Sequence, residues 1–288
     1  MTAVYKREVR SYFNSMIGYI FVAAVMLFIG IYFMLFNLKM GYPYFANSLS
    51  GTATIFSFAV PILTMKSMAE ERRSKSDQML LTYPVSVTGV VLGKFFAMLT
   101  VFIIPMLISC LCPLVISSGG NGSLAIDYSA ILMFVFLGAM FIAIGMYISS
   151  LTESQVIAAV GTMVILLILT LWDTIMAYIP ATMNSSVICT LVIFALFALA
   201  YYASSKSVVP AAVIMVIGIA VTVVCATVFK DWFPTGVTEL LSHLSIHQVI
   251  VSFTSYCLFD AKGLLLFIII AALFIFLTVQ SVQKRRYR

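Results

Sequence analysis

Apolar residues recur in unbroken runs of about 20, and this feature removes most folds before any motif is considered. Runs long enough to cross a bilayer as a helix fall at 17–36, 52–68, 95–117, 129–150, 155–179, 187–204, 208–229 and 263–282. Lipid offers no hydrogen bonds to a backbone, so each run is expected to be helical, its own N–H and C=O groups satisfying one another. The chain is therefore expected to be an all-α polytopic membrane protein with about eight transmembrane helices. A soluble domain is excluded, because only 9% of residues are charged where soluble proteins carry about a quarter. No fixed-period repeat or low-complexity linker divides the sequence, which predicts one membrane domain over 1–288. The first run lacks a small-residue cleavage site and is expected to be a span rather than a cleaved signal.

Cations orient the runs. Eight spans put both termini on one side, together with Lys6, Arg7, Arg10, Lys66, Arg72, Arg73, Lys75, Lys94, Lys206, Lys284, Arg285, Arg286 and Arg288. Only Lys39, Lys230 and Lys262 fall on the other side. The positive-inside rule then predicts cytoplasmic termini and a cytoplasmic 65–94 segment. These charges are spread over membrane flanks, so the net +6 provides no nucleic-acid surface. The five cysteines lie mostly within apolar runs and lack metal-ligand spacing.

The 65–94 segment is the one long polar interval rich in charge, holding Lys66, Glu70, Glu71, Arg72, Arg73, Lys75, Asp77 and Lys94. Glu70 and Arg73 are spaced i,i+3, and Glu71–Lys75 and Arg73–Asp77 i,i+4, so a helix here is able to pair its own charges. Pro84 disfavours helix at Tyr83, and Ser86 or Thr88 is placed to cap a second helix through Lys94. Two helices with a break are expected; a solvated turn with weak surface pairs is the alternative.

Before the first span, Tyr5, Val9, Tyr12 and Met16 are spaced 4, 3 and 4 apart and share one helical stripe, while Lys6, Arg7 and Arg10 occupy other faces. That pattern predicts an interfacial elbow helix over 4–15, with its cations toward anionic headgroups. A basic flank that merely orients the first span is the alternative. The 187–229 stretch reads as a hairpin, full or re-entrant, and 230–262 as the longest external segment. In it His243 and His247 are spaced i,i+4, but no nearby carboxylate completes a metal set, which favours a polar lid or interface.

Catalytic motifs fail on spacing. Gly89-Val-Val-Leu-Gly93-Lys94 has three residues between its glycines where a phosphate loop needs four, and Phe95 follows the lysine. Its glycines are expected to allow close helix packing. Asp173 lies near the outer end of its run, Glu153 sits in a short inner turn where it is placed to cap the next span, and no span holds the central acids of a proton relay. Pro61, Pro105 and Pro113 are expected to kink or open their helices.

Three stretches carry a resemblance. They are Tyr5-Lys-Arg-Glu-Val-Arg-Ser-Tyr-Phe-Asn-Ser-Met-Ile-Gly-Tyr19, then Glu70-Glu-Arg-Arg73 with Gln78-Met-Leu-Leu-Thr-Tyr-Pro-Val-Ser86 and Gly93-Lys94, and finally Phe276-Leu-Thr-Val-Gln-Ser-Val-Gln-Lys-Arg-Arg-Tyr287. Together they resemble the permease subunits of ABC-2 type (type V fold) ABC transporters, most closely the gliding-motility-associated group. Ser74-Lys-Ser-Asp77 departs from the Gly-Thr-x-Glu of many relatives. The family commonly has six spans, which makes 187–229 an additional hairpin.

The resemblance implies a membrane subunit of an ATP-driven exporter in the plasma or bacterial inner membrane. Two permease chains, a second copy or a paralogue, would work with two copies of a cytoplasmic ABC ATPase. This chain would not be an enzyme and would bind no cofactor, since ATP and Mg would sit on the ATPase. Glu70, Glu71, Arg72, Arg73, Asp77, Leu80, Leu81 and Pro84 would couple to that ATPase. Tyr5, Lys6, Arg7, Arg10 and Tyr12 would form the elbow among membrane lipids. The competing readings are a stand-alone ion-coupled secondary transporter and a non-transporting scaffold; a neighbouring gene for a separate P-loop ATPase discriminates against both.

Overall fold

A computed structural model describes residues 1–74, 86–119, 123–178, 208–228, 245–254 and 259–286, with isolated positions between 183 and 198 and at 236. Among them every regular element is helical, and five helices are long and apolar enough to cross a membrane. The chain divides into two compact units, Met1–Thr170 with Ile246–Arg288, and Leu171–Ser245.

The first unit opens with α1, Thr2–Asn14, which the tyrosine stripe predicts. Ser15, in extended conformation, is the whole joint between α1 and α2, Met16–Tyr32. α2 continues as a π-helix over Phe33–Lys39 and stops where Gly41 takes a left-handed φ of 72°, a conformation that glycine adopts at little cost. α3 spans Phe45–Arg73, far beyond the apolar run at 52–68. It stays helical through Pro61, and the Thr64 hydroxyl donates to Val60 O at 3.1 Å, one turn back.

α4, Val87–Ser109, and α5, Leu111–Ser118, together form one spanning stretch broken at Cys110. Pro113 cannot donate to the carbonyl four residues earlier, which is where the break falls. Pro113 sits in the first turn of α5, where its missing N–H costs little. α6 is Leu124–Leu151 and α7 Gln155–Thr170. The run at 155–179 does not form one helix: it parts at Leu171, and α8 covers Trp172–Ala177 in the second unit. Thr170 donates back to Leu166 O and Leu167 O beside that break, the back-bonding that bends helices.

In the second unit α9 covers Val208–Val228, while most of 187–204 lies outside the described residues, so the expected hairpin is described on one side only. The first unit closes with α10, Ile246–Thr254, and α11, Ala261–Arg286. His247 lies on α10, and His243 lies outside the described residues.

α3 and α6 form the centre of the first unit. Some 72% of the α6 span is buried against 17% of α2, so α6 is surrounded by protein and α2 mostly faces outward. Lipid tails are as apolar as leucine, so close packing of small residues, not hydrophobic exclusion, must hold such helices together. Gly145 of α6 leaves room for Thr64 of α3, and Gly138 for the Phe102 ring of α4; a Cβ at either position would overlap its neighbour.

Candidate functional site

The charged end of α3 is where the expected coupling residues lie. Glu70, Glu71, Arg72 and Arg73 occupy its last turn, while Asp77, Leu80, Leu81 and Pro84 lie outside the described residues. Arg72 and Arg73 suit this position, because unpaired carbonyls make a helix C-terminus negative. Glu70 and Glu71 suit it poorly, and Lys66 of the same helix compensates the first, cations from α1 and α4 the second.

The main compensating cation is Lys94, in the second turn of α4. Its side chain is 2% exposed, and Nζ donates to Ser67 O at 2.6 Å and contacts Glu71 Oε2 at 2.8 Å and Glu8 Oε1 at 3.8 Å. Arg7 on α1 closes the group from the outer side, with Nη2 at 2.9 Å from Glu8 Oε1 and 3.1 Å from Glu71 Oε1. Two carboxylates and two cations from α1, α3 and α4 thus cancel in one cluster. Cancellation is what makes burial of Lys94 tolerable, since an unpaired ammonium out of water is prohibitively costly. The hydrogen bond to Glu8, then the Glu8 and Glu71 charges, push the Arg7 guanidinium up from its ordinary value.

Of the intrahelical pairs that the spacing allows, only Glu70–Arg73 lies wholly within the described residues, and a different pair forms there. Glu71 pairs with α1 and α4, and Glu70 turns back to Lys66 at 3.4 Å rather than forward to Arg73. Lys75 and Asp77, the other expected partners, lie outside the described residues. Arg72 reaches the end of α6, where Nη1 donates to Ser150 O at 3.1 Å, and the turn after it, where Nη2 meets Glu153 at 3.5 Å. That pair occupies Glu153, which the sequence suggests as a helix cap. Ser149 of α6 adds a further tie, its Oγ accepting from the Met68 and Ala69 amides and donating to Met65 O.

The α1 residues divide into two faces. Tyr12 is buried and donates to Leu63 O of α3 at 3.2 Å; burial, then the Glu8, Glu71 and Glu70 charges, push its phenol well above the usual range, so it remains a donor. Tyr5 shares a hydrogen bond with Thr100 of α4 at 2.9 Å. Lys6, Arg7 and Arg10 are exposed. Gly93 lets α1 approach α4, since a Cβ there would come within 3.2 Å of Val4 and 3.3 Å of Met1 O. Between α1 and α3 lies a cleft of about 390 Å³ lined by Arg7, Glu8, Tyr12, Lys66, Glu70, Glu71 and Lys94.

Sequence reasoning gave no site role to three residues. Glu8 is the sole acid in a basic N-terminal stretch, and Lys94 abuts an apolar run, so each carries a faint signal. Asp127 precedes the apolar run at 129–150, yet it lies in the first turn of α6, fully buried. Its Oδ1 accepts from the Ala46 amide at 3.2 Å, at the start of α3.

The family model of ABC-2 family transporter proteins matches residues 2–189, which holds α1 to α8 and the whole charged cluster. No curated protein and no solved structure matches the chain.

Proposed function

The chain belongs to the ABC-2 family of transporter proteins, and we propose that it is the membrane-spanning permease subunit of an ATP-driven exporter, resembling the gliding-motility-associated group. Hydrolysis by a separate cytoplasmic ABC ATPase, bound at the 65–94 segment, would drive the movement of substrate. Both termini would then be cytoplasmic, and two permease chains would share two ATPase copies. Glu70, Glu71, Arg72 and Arg73 are the coupling residues within the described structure; Asp77, Leu80, Leu81 and Pro84 complete the proposed contact.

The observation that supports this most is the seat of Lys94. Through it and Arg7, a push on the end of α3 reaches α1 and α4, and through Arg72 and Ser149 it reaches α6. Interlocked helices transmit a displacement as a rigid body, which a freely hinged charged loop does not. Charge reversal in the double variant Glu71→Lys, Arg72→Glu is expected to abolish copurification of the proposed partner ABC ATPase and its vanadate-sensitive activity in vesicles. Membrane insertion is expected to persist. Normal copurification and normal transport in that variant would remove the coupling role.

A further inference from the structure

α1 carries a second groove, which shares Arg7, Ser11 and Ser15 with the acid–base cleft. It is lined by Lys6, Arg7, Arg10, Ser11, Asn14 and Ser15, and encloses about 660 Å³. Its lining holds three cations, two hydroxyls and an amide, and no carboxylate. The nearest acids face elsewhere: Glu8 is engaged by Arg7 and Lys94, Glu71 by the same two cations, and Glu70 by Lys66. Lys6 and Arg10, spaced i,i+4, enter no ion pair among the described residues. Two cations on one helical face with no internal partner are unspent attraction for an anion.

The position of the groove says which kind of anion. One residue, Ser15, joins α1 to the first membrane-crossing helix, and Ser15 lines the groove. Its hydroxyl turns back to Tyr12 O at 3.3 Å and makes no capping bond to α2, so the positive N-terminus of that helix is left uncapped beside the groove. Directly beyond, Met16 is 79% exposed and Tyr19 61% exposed. An apolar shelf next to a cationic groove matches a molecule with acyl chains below and a negative head above.

We propose that this groove is a binding site for the headgroup of an anionic phospholipid, with Lys6 and Arg10 holding the phosphate and Ser11 and Asn14 supplying hydrogen bonds. Arg7 lines this groove as well as the acid–base cleft, so the headgroup lies one side chain from Glu71.

The test uses the full-length permease in detergent, without any ATPase, so its result is independent of the coupling reading. Binding of dioctanoyl phosphatidylglycerol, dioctanoyl phosphatidylcholine and inorganic phosphate is followed by thermal stabilisation. Phosphatidylglycerol is expected to bind roughly tenfold or more tightly than phosphatidylcholine. The Lys6→Gln, Arg10→Gln double variant should lose about 25-fold of that affinity, about fivefold per cation. Lys6→Arg with Arg10→Lys should retain it. Equal affinity for the two lipids, or unchanged phosphatidylglycerol affinity in the Gln variant, would overturn the proposal. So would equal stabilisation by inorganic phosphate alone, which would assign the groove to a soluble anion.

Discussion

α3 is held at both ends, and the two ends use opposite chemistry. At the start of α3 a single buried carboxylate, Asp127, accepts from Ala46 N–H and enters no ion pair among the described residues. Asn37 and Ser48 complete that end with neutral hydrogen bonds, Asn37 Nδ2 donating to Tyr42 O and Tyr44 O and Ser48 donating to Asn37. At the far end, Glu8, Glu71, Arg7 and Lys94 meet in a four-charge cluster beside the Ser149 and Arg72 ties. The helix itself explains the asymmetry. Its N-terminus supplies positive potential, so one anion suffices there. Its C-terminus is negative, so Glu71 draws cations from α1 and α4, while Glu70 uses Lys66 of α3 itself.

The sharpest way to break the comparison is Lys94→Met. It removes the buried cation that Glu8 and Glu71 share and leaves them the largely exposed Arg7, and it should lower stability against SDS unfolding by about 3–5 kcal/mol. Adding Glu8→Met and Glu71→Met should recover much of that loss, because apolar residues of similar volume replace buried ion groups at little cost. A triple variant less stable than Lys94→Met would show that the charges themselves hold the three helices.

The opposite end should respond less. Asp127→Ala leaves the Ala46 amide without its acceptor, which costs about 1–3 kcal/mol. Asp127→Asn keeps an acceptor oxygen and should fall between wild type and Ala in the same unfolding assay. An Asn variant as weak as Ala would mean that the negative charge, not the hydrogen bond, caps α3.

The smallest effect is expected at Glu153, whose side chain is 72% exposed in its pair with Arg72. Glu153→Gln should change stability by less than about 1 kcal/mol, and raising the salt concentration should erase even that. Arg72 keeps Ser150 O as a partner in that variant.

Much of the helical layout is legible without coordinates, because hydropathy and tyrosine spacing act over one or two turns. The runs beginning at 17, 52, 95, 129 and 263 all lie within helices of spanning length, and the stripe from Tyr5 to Tyr12 lies on α1. Boundaries were less legible. α3 begins seven residues before its apolar run, at Phe45 rather than Thr52, because Asp127 satisfies an amide at its start from a distant part of the chain. The break at Leu171 was invisible to hydropathy, since a threonine bonding back to its own helix leaves the run equally apolar.

The sequence alone determined that this is a helical membrane protein, where most of the first unit's helices lie, and that its charge gathers after the second span. Those properties follow from segment length and side-chain polarity, which are local. Only the tertiary structure decided that Lys94 is buried, that Glu71 reaches α1 and α4, and that Asp127 caps α3. Each of those contacts joins residues more than twenty positions apart. Which charge finds which partner depends on how the helices pack, and no local spacing encodes that.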